Sequence, residues 1–152
     1  MRIAAVRAGS PDDAGCTILM SKTKPLVAIV DDDPSVCRAL KRLVRSLGMD
    51  AETFASGREF VDLVEAMPSF HPDCVILDVQ MPGLNGLNVQ EQLGKSGNLF
   101  PIVFITAHDD SAIRQKALAA GAVAFVRKPF NDQLFIKTLT EALKRSTSPS
   151  EN

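Results

Sequence analysis

Short apolar runs alternate with stretches of helical spacing along the middle of the chain. The runs are Leu26–Val30 (LVAIV), Cys74–Leu77 (CVIL), Ile102–Ile105 (IVFI) and Ala122–Val126 (AVAFV), with a shorter strand-like segment at Ala51–Phe54. Continuous apolar runs of this length are what a strand buried on both faces requires. After Asp33-Pro34, apolar residues recur at Val36, Leu40, Leu43, Val44 and Leu47, and Gly48 follows as a stop. Ser56 can cap a helix carrying Phe60, Leu63, Val64 and Met67, closed by Pro68. The loop Met81–Gly86 leads to a helix with Leu87, Val89 and Leu93. Asp109, Asp110 and Ser111 can cap a helix with Ile113, Ala117, Leu118 and Ala120, stopped by Gly121, and Asn131 or Asp132 opens a last helix with Leu134, Ile136, Leu139 and Leu143. Caps, spacings and stops of this kind mark helix boundaries.

Five β-α units in succession predict an α/β fold: a doubly wound, five-stranded parallel sheet, order 2-1-3-4-5, with helices on both faces and right-handed crossovers. The folded region is expected over residues 25–145. Residues 1–24 lack a sustained period and read as a disordered extension, with Met20 a plausible alternative start, and residues 146–152 (STSPSEN) read as a disordered polar tail.

Composition narrows the function. The net charge of −1 gives no general attraction to nucleic acid or anionic membranes. No apolar run approaches the roughly 18–20 residues that cross a bilayer. Three cysteines in no metal-binding spacing suggest neither a zinc site nor a disulfide framework. Cys37 and Cys74 are expected as small core residues, and the compartment is expected to be a reducing cytoplasm.

The chemistry lies where the apolar runs end. The first runs into Asp31 and Asp32, the second into Asp78, the third into Thr106, and the last into Arg127, Lys128 and Pro129. In an open parallel sheet, ligands bind at the carboxyl ends of the strands. Parallel strands would therefore gather three acids, a hydroxyl and an ammonium at one edge. Each member has a plainer role when taken singly: an acidic turn with Asp33 at a helix start, a β-branched strand residue, a surface lysine in a turn. The ordered set is what is specific. Mg²⁺ takes oxygen ligands from one or two carboxylates plus a phosphate, and a carboxylate beside it can act as a nucleophile, forming an aspartyl phosphate.

The stretch from about Pro25 to about Arg145 resembles the receiver domain of response regulators in two-component signalling. The matching pieces are Val30-Asp31-Asp32-Asp33, Leu77-Asp78-Val79-Gln80-Met81-Pro82-Gly83, Ile105-Thr106-Ala107-His108 and Lys128-Pro129-Phe130. The short loops and Ile105–Asp109 (ITAHD) are most similar to FixJ-type receivers. The resemblance implies a flavodoxin-like three-layer sandwich. It implies that Asp78 is the phosphoacceptor, that Asp32 ligates Mg²⁺ with Asp31 holding metal waters, and that the backbone carbonyl of Gln80 completes the protein ligands. Thr106 and Lys128 would bind phosphoryl oxygens, and Phe125 would be the rotameric switch. Gln80 and His108 would flank the site at positions whose side chains tune hydrolysis in such receivers, although a histidine more often has no catalytic role, which is the favoured reading of His108 and still more of His71 before Pro72.

The partners so implied are a histidine kinase or phosphotransfer protein, a downstream protein target, and a second copy of the chain on phosphorylation. Too few residues follow Arg145 for a DNA-binding or enzymatic effector, so direct contact with nucleic acid is not expected, nor with a membrane. Three rivals share part of the pattern. An aspartyl-phosphate phosphohydrolase would want an acid two residues after its nucleophile, where this chain has Gln80. A flavodoxin-like cofactor binder would want a Ser/Thr/Gly-rich loop after the first strand, where this chain has Asp31-Asp32-Asp33-Pro34. A degenerate receiver serving only as a docking module would not need the intact acid set.

Overall fold

A computed structural model of the chain describes residues 24–108 and 110–147. Ten elements alternate along it: β1 (Leu26–Val30), α1 (Pro34–Ser46), β2 (Asp50–Phe54), α2 (Gly57–Ala66), β3 (Cys74–Asp78), α3 (Gly86–Lys95), β4 (Ile102–Thr106), α4 (Ser111–Ala119), β5 (Ala124–Arg127) and α5 (Asp132–Thr147). The strands form one parallel sheet in the order β2-β1-β3-β4-β5. That is the expected 2-1-3-4-5 arrangement, and the fold class is borne out. The expected N-terminal extension lies almost wholly outside the described residues, as does Asp109. The last helix runs to Thr147, two residues past the expected end of the folded region.

The alternation of the pleat divides the core in two. Ala28, Val30, Val75, Leu77, Ile102 and Phe104 point to one face, against Phe60, Val61 and Val64 of α2, Val89 and Leu93 of α3 and Ala117 of α4. Val27, Ile29, Ile76, Val103 and Ile105 point to the other, against Cys37, Leu40 and Val44 of α1 and Phe135, Leu139 and Ala142 of α5. β1, β3 and β4 are covered on both faces, which is why they read as unbroken apolar runs. Cys37 and Cys74 are buried, as expected of core residues, and burial pushes the Cys74 thiol up to about 12.

Not every apolar residue of the helices enters the core. On α5 the buried stripe is Phe135, Leu139 and Ala142, while Leu134 is 47% exposed. Asn131 accepts from the backbone N–H of Leu134, so the helix opens with Leu134 in its outward first turn. On α4 only Ala117 is buried and Leu118 is 43% exposed. Leu47 and Met67 sit at helix C-caps, where the chain turns outward. Gln90 of α3 is buried and donates its amide to the Ala117 carbonyl at 3.1 Å, satisfying a polar group that would otherwise be costly there. The fifth strand begins later than its apolar run suggests: Ala122 is tied back by its N–H to the Ala117 carbonyl and is not paired in the ladder.

Among the described residues no helix is long and apolar enough to cross a membrane.

Candidate functional site

Each strand delivers its last residue to the same edge. β1 ends at Val30, and the Asp31–Asp33 triplet then divides its labour. Asp33 caps α1, accepting from the backbone N–H of Ser35 at 2.9 Å, with Pro34 next in the first turn. Asp31 is 1% exposed, and Asp32 faces solvent. The Asp31 carboxylate accepts from the Asp33 N–H at 2.9 Å and from Lys128 Nζ at 3.0 Å. A buried carboxylate with those two donors is satisfied, whereas an unpaired one would be expelled.

Asp78 closes β3, the central strand, and is 5% exposed. One of its carboxylate oxygens accepts from the Gln80 N–H at 3.3 Å and lies 3.9 Å from Lys128 Nζ. Removal from water is the largest influence on this carboxyl, and the Asp31 charge adds to it. Lys128 and the Gln80 N–H pull the other way without prevailing, so the carboxyl is raised to about 6. The ammonium stands nearer Asp31 than Asp78, so Asp78 is the less compensated of the two buried acids.

One ligand oxygen each from Asp31, Asp32 and Asp78 can be chosen so that all lie within 4.8 Å of one another. Three carboxylates with one ammonium between them leave a local surplus of negative charge. The donors are all hard oxygens, two of them are buried, and the exposed third leaves the edge open to water. That donor set fits Mg²⁺, which prefers oxygen ligands and keeps several waters.

Thr106 ends β4 beside Asp78 and is 2% exposed. Its hydroxyl accepts from the His108 N–H at 3.1 Å, and its carbonyl accepts from the Lys128 N–H. Lys128 follows β5, and its peptide bond to Pro129 is cis. Gln80 and His108 are exposed at this edge, whereas His71 lies against Phe100 with ring centres 5.0 Å apart. Phe125 is half-buried on β5, its ring centre 6.1 Å from that of Phe104.

Two contacts have no counterpart in the sequence reading. Gly86 packs directly against the Asp78 backbone: a Cβ there would stand 2.5 Å from the Asp78 carbonyl oxygen. The Arg114 guanidinium lies over the Phe125 ring, 5.5 Å from its centre. A glycine at a helix start and an arginine on an exposed helix are common, so neither carries a signal in a single sequence.

Comparison with known proteins gives the family of the fold that carries this edge. The family model described as the response regulator receiver domain matches residues 27–140. The response regulator protein TodT of Pseudomonas putida is 40% identical over 133 residues, covering 88% of this chain and 57% of TodT. The transcriptional regulatory protein FixJ of Bradyrhizobium diazoefficiens is 32% identical over 124 residues, covering 82% of this chain and 59% of FixJ. The chain thus spans well under two thirds of these curated relatives. A crystal structure of a response regulator receiver protein from Burkholderia phymatum is 59% identical, covering 80% of this chain and 96% of that one, with a TM-score of 0.71. With the family model matching most of its length, this chain belongs to the response regulator receiver domain family.

Proposed function

We propose that the chain is the phosphoacceptor of a cytoplasmic two-component phosphorelay, taking a phosphoryl group onto Asp78 from a histidine kinase or phosphotransfer protein. The observation that carries this reading is the position of Asp78: at the end of the central strand, with Asp31 and Asp32 on one side and the Lys128 ammonium 3.9 Å away.

The chemistry assigns a role to each side chain. An Asp78 carboxylate oxygen attacks phosphorus, and the bond from phosphorus to the donor's imidazole nitrogen breaks. Such a transfer needs positioning and charge neutralisation more than covalent help. Asp31, Asp32, Asp78 and the Gln80 carbonyl would hold Mg²⁺, which when bound neutralises charge on the acids and the phosphoryl oxygens. Lys128 would turn from Asp31 toward a phosphoryl oxygen, and the Thr106 hydroxyl would leave the His108 N–H and donate to another. Gln80, exposed two residues after Asp78, would limit the approach of water to the acyl phosphate. The chain is therefore read as a signalling acceptor whose own reactions are self-phosphorylation and autodephosphorylation, and not as an enzyme acting on other molecules. Its output would be a changed surface over α4, β5 and α5, bound by a downstream protein or by a second copy of the chain.

Incubation with a small phosphodonor and Mg²⁺, read by intact mass, tests the acceptor. One added phosphoryl group per chain is expected, and its absence under conditions that label a known receiver overturns the reading.

The metal has its own test. Like charges gathered without a cation cost stability, and a ligand that binds only the folded state stabilises it by about 2.7 kcal/mol at a hundred-fold excess over its dissociation constant. Millimolar Mg²⁺ is expected to raise the melting temperature, and Asp32→Ala to remove most of that rise. Equal responses in both proteins would count against these ligands.

Transmission is separable from acceptance. Thr106→Ala is expected to accept phosphate and yet weaken the response of the α4–β5–α5 face, seen as smaller amide shifts there on phosphorylation. Undiminished shifts would remove Thr106 from the switch.

A further inference from the structure

The Phe125 ring touches two unlike neighbours. One is Phe104, fully buried, with ring planes tilted by 36°. The other is the exposed Arg114, whose guanidinium carbon lies over the ring, 5.5 Å from its centre. That distance lies within the roughly 6 Å at which a cation is drawn to an aromatic face.

We propose that Arg114 is a positioning residue for the signalling switch: its guanidinium holds the Phe125 ring at the margin of the core and so sets the resting balance between the two states of the α4–β5–α5 face. The proposal rests on the reading of Asp78 as phosphoacceptor and of Phe125 as the group that moves.

Two further observations support a role for α4 in this balance. First, α4 is weakly anchored. It buries Ala117 alone, whereas α1 buries Cys37, Leu40 and Val44. Ile113 adds a partly buried contact to the core. An element with little buried apolar surface shifts at low cost, and the Arg114 contact to β5 is then a meaningful share of what fixes its position. Second, the loop that leads into α4 is the one that holds the Thr106 hydroxyl. The His108 N–H donates to that hydroxyl, and Asp110, two residues on, caps α4 by accepting from Ala112 and Ile113. Withdrawal of the hydroxyl toward Asp78 releases the loop at His108 and with it the start of the helix that carries Arg114. The guanidinium thus links the loop at the phosphorylation site to the ring that must turn.

The expected size of the effect is modest. An exposed cation–aromatic contact corresponds to roughly a two- to five-fold change in an equilibrium. That tunes a resting population; full reversal of a switch takes a far larger differential affinity. By linkage, a ligand that favours the switched state binds more tightly when the resting state is loosened.

A double-mutant cycle on the full chain tests this. Arg114→Met keeps the length of the side chain and removes its charge, and Phe125→Leu removes the ring. Beryllofluoride with Mg²⁺ is titrated into each single variant, the double variant, Arg114→Lys and the wild type, and amide shifts of α4 and β5 are followed. Arg114→Met is expected to tighten apparent beryllofluoride binding by about two- to five-fold, Arg114→Lys to stay near the wild type, and the effect of Arg114→Met to shrink markedly once Leu replaces Phe125. Equal effects of Arg114→Met with and without the ring would overturn the positioning role while leaving the phosphoacceptor reading intact. Failure of the wild type to bind beryllofluoride would overturn both.

Discussion

Asp78→Asn is expected to abolish labelling by a phosphodonor and, at the same time, to stabilise the folded chain at neutral pH in the absence of divalent metal. Loss of labelling follows from removal of the attacking oxygen's charge. The stabilisation follows from burial. The Asp78 carboxyl is raised to about 6, chiefly by desolvation and then by the Asp31 charge. An unfolded aspartate titrates near 3.9. Between those values the folded chain holds its proton after the unfolded chain has released it. The contribution of this group to stability is therefore fully present below about pH 4 and is lost as pH rises through about 6. The loss is on the order of 1–3 kcal/mol. The Asn variant does not titrate and escapes it.

Urea denaturation of both proteins from pH 4 to pH 7.5 reads the difference directly, and taking that difference cancels the carboxylates remote from Asp78. The variant is expected to gain on the wild type as pH rises and to keep that lead above pH 6.5. Millimolar Mg²⁺ is expected to narrow the gap by compensating the wild-type charge. A variant that still takes up phosphate, or whose stability tracks the wild type across the whole range, would contradict the assignment of Asp78.

The second large effect is structural. Gly86→Ala is expected to destabilise the fold by about 2–3 kcal/mol or more, at the upper end of what overpacking costs. The added methyl would stand 2.5 Å from the Asp78 carbonyl oxygen, 2.9 Å from the Val79 Cα and 3.0 Å from a Phe104 ring carbon. Two of those atoms are backbone and cannot rotate away. They can only move with the chain that carries the Asp78 side chain, so slower labelling at Asp78 should accompany the lost stability. Gly94→Ala is the control, because its added methyl meets nothing within 4 Å and alanine is the better helix former. Chemical denaturation of both variants is expected to show a lower midpoint for the first and an equal or higher one for the second. Matching midpoints would mean that the start of α3 is not packed on Asp78 as described.

Gly86 illustrates how the legible and the illegible parts of this chain differ. Element type and order were readable because burial on both faces turns β1, β3 and β4 into unbroken apolar runs, and because Asp33, Ser56 and Asp110 cap helices with local hydrogen bonds. The sheet order followed from the alternation of strand and helix with right-handed crossovers. Gathering of the candidate groups was also readable, since Asp31, Asp78 and Thr106 end or follow strands that lie side by side in the sheet and Lys128 follows β5. All of that information is periodic or local, and a single sequence carries it.

What the sequence could not show is which neighbour a side chain meets across the fold. Lys128 pairs with Asp31, 97 positions away, at 3.0 Å in preference to Asp78 at 3.9 Å. Asp31 and Asp32 are identical in sequence terms, yet one is buried and the other faces water. Phe135, not Leu134, enters the core because the start of α5 at Asn131 sets the rotation of the helix. Arg114 meets Phe125 only because α4 packs beside β5. The chain by itself determined the α/β architecture and which groups reach the sheet edge, because periodicity and capping act within a few residues. Tertiary packing alone decided the pairing, burial and protonation of those groups, because these depend on distances between segments that no local pattern records.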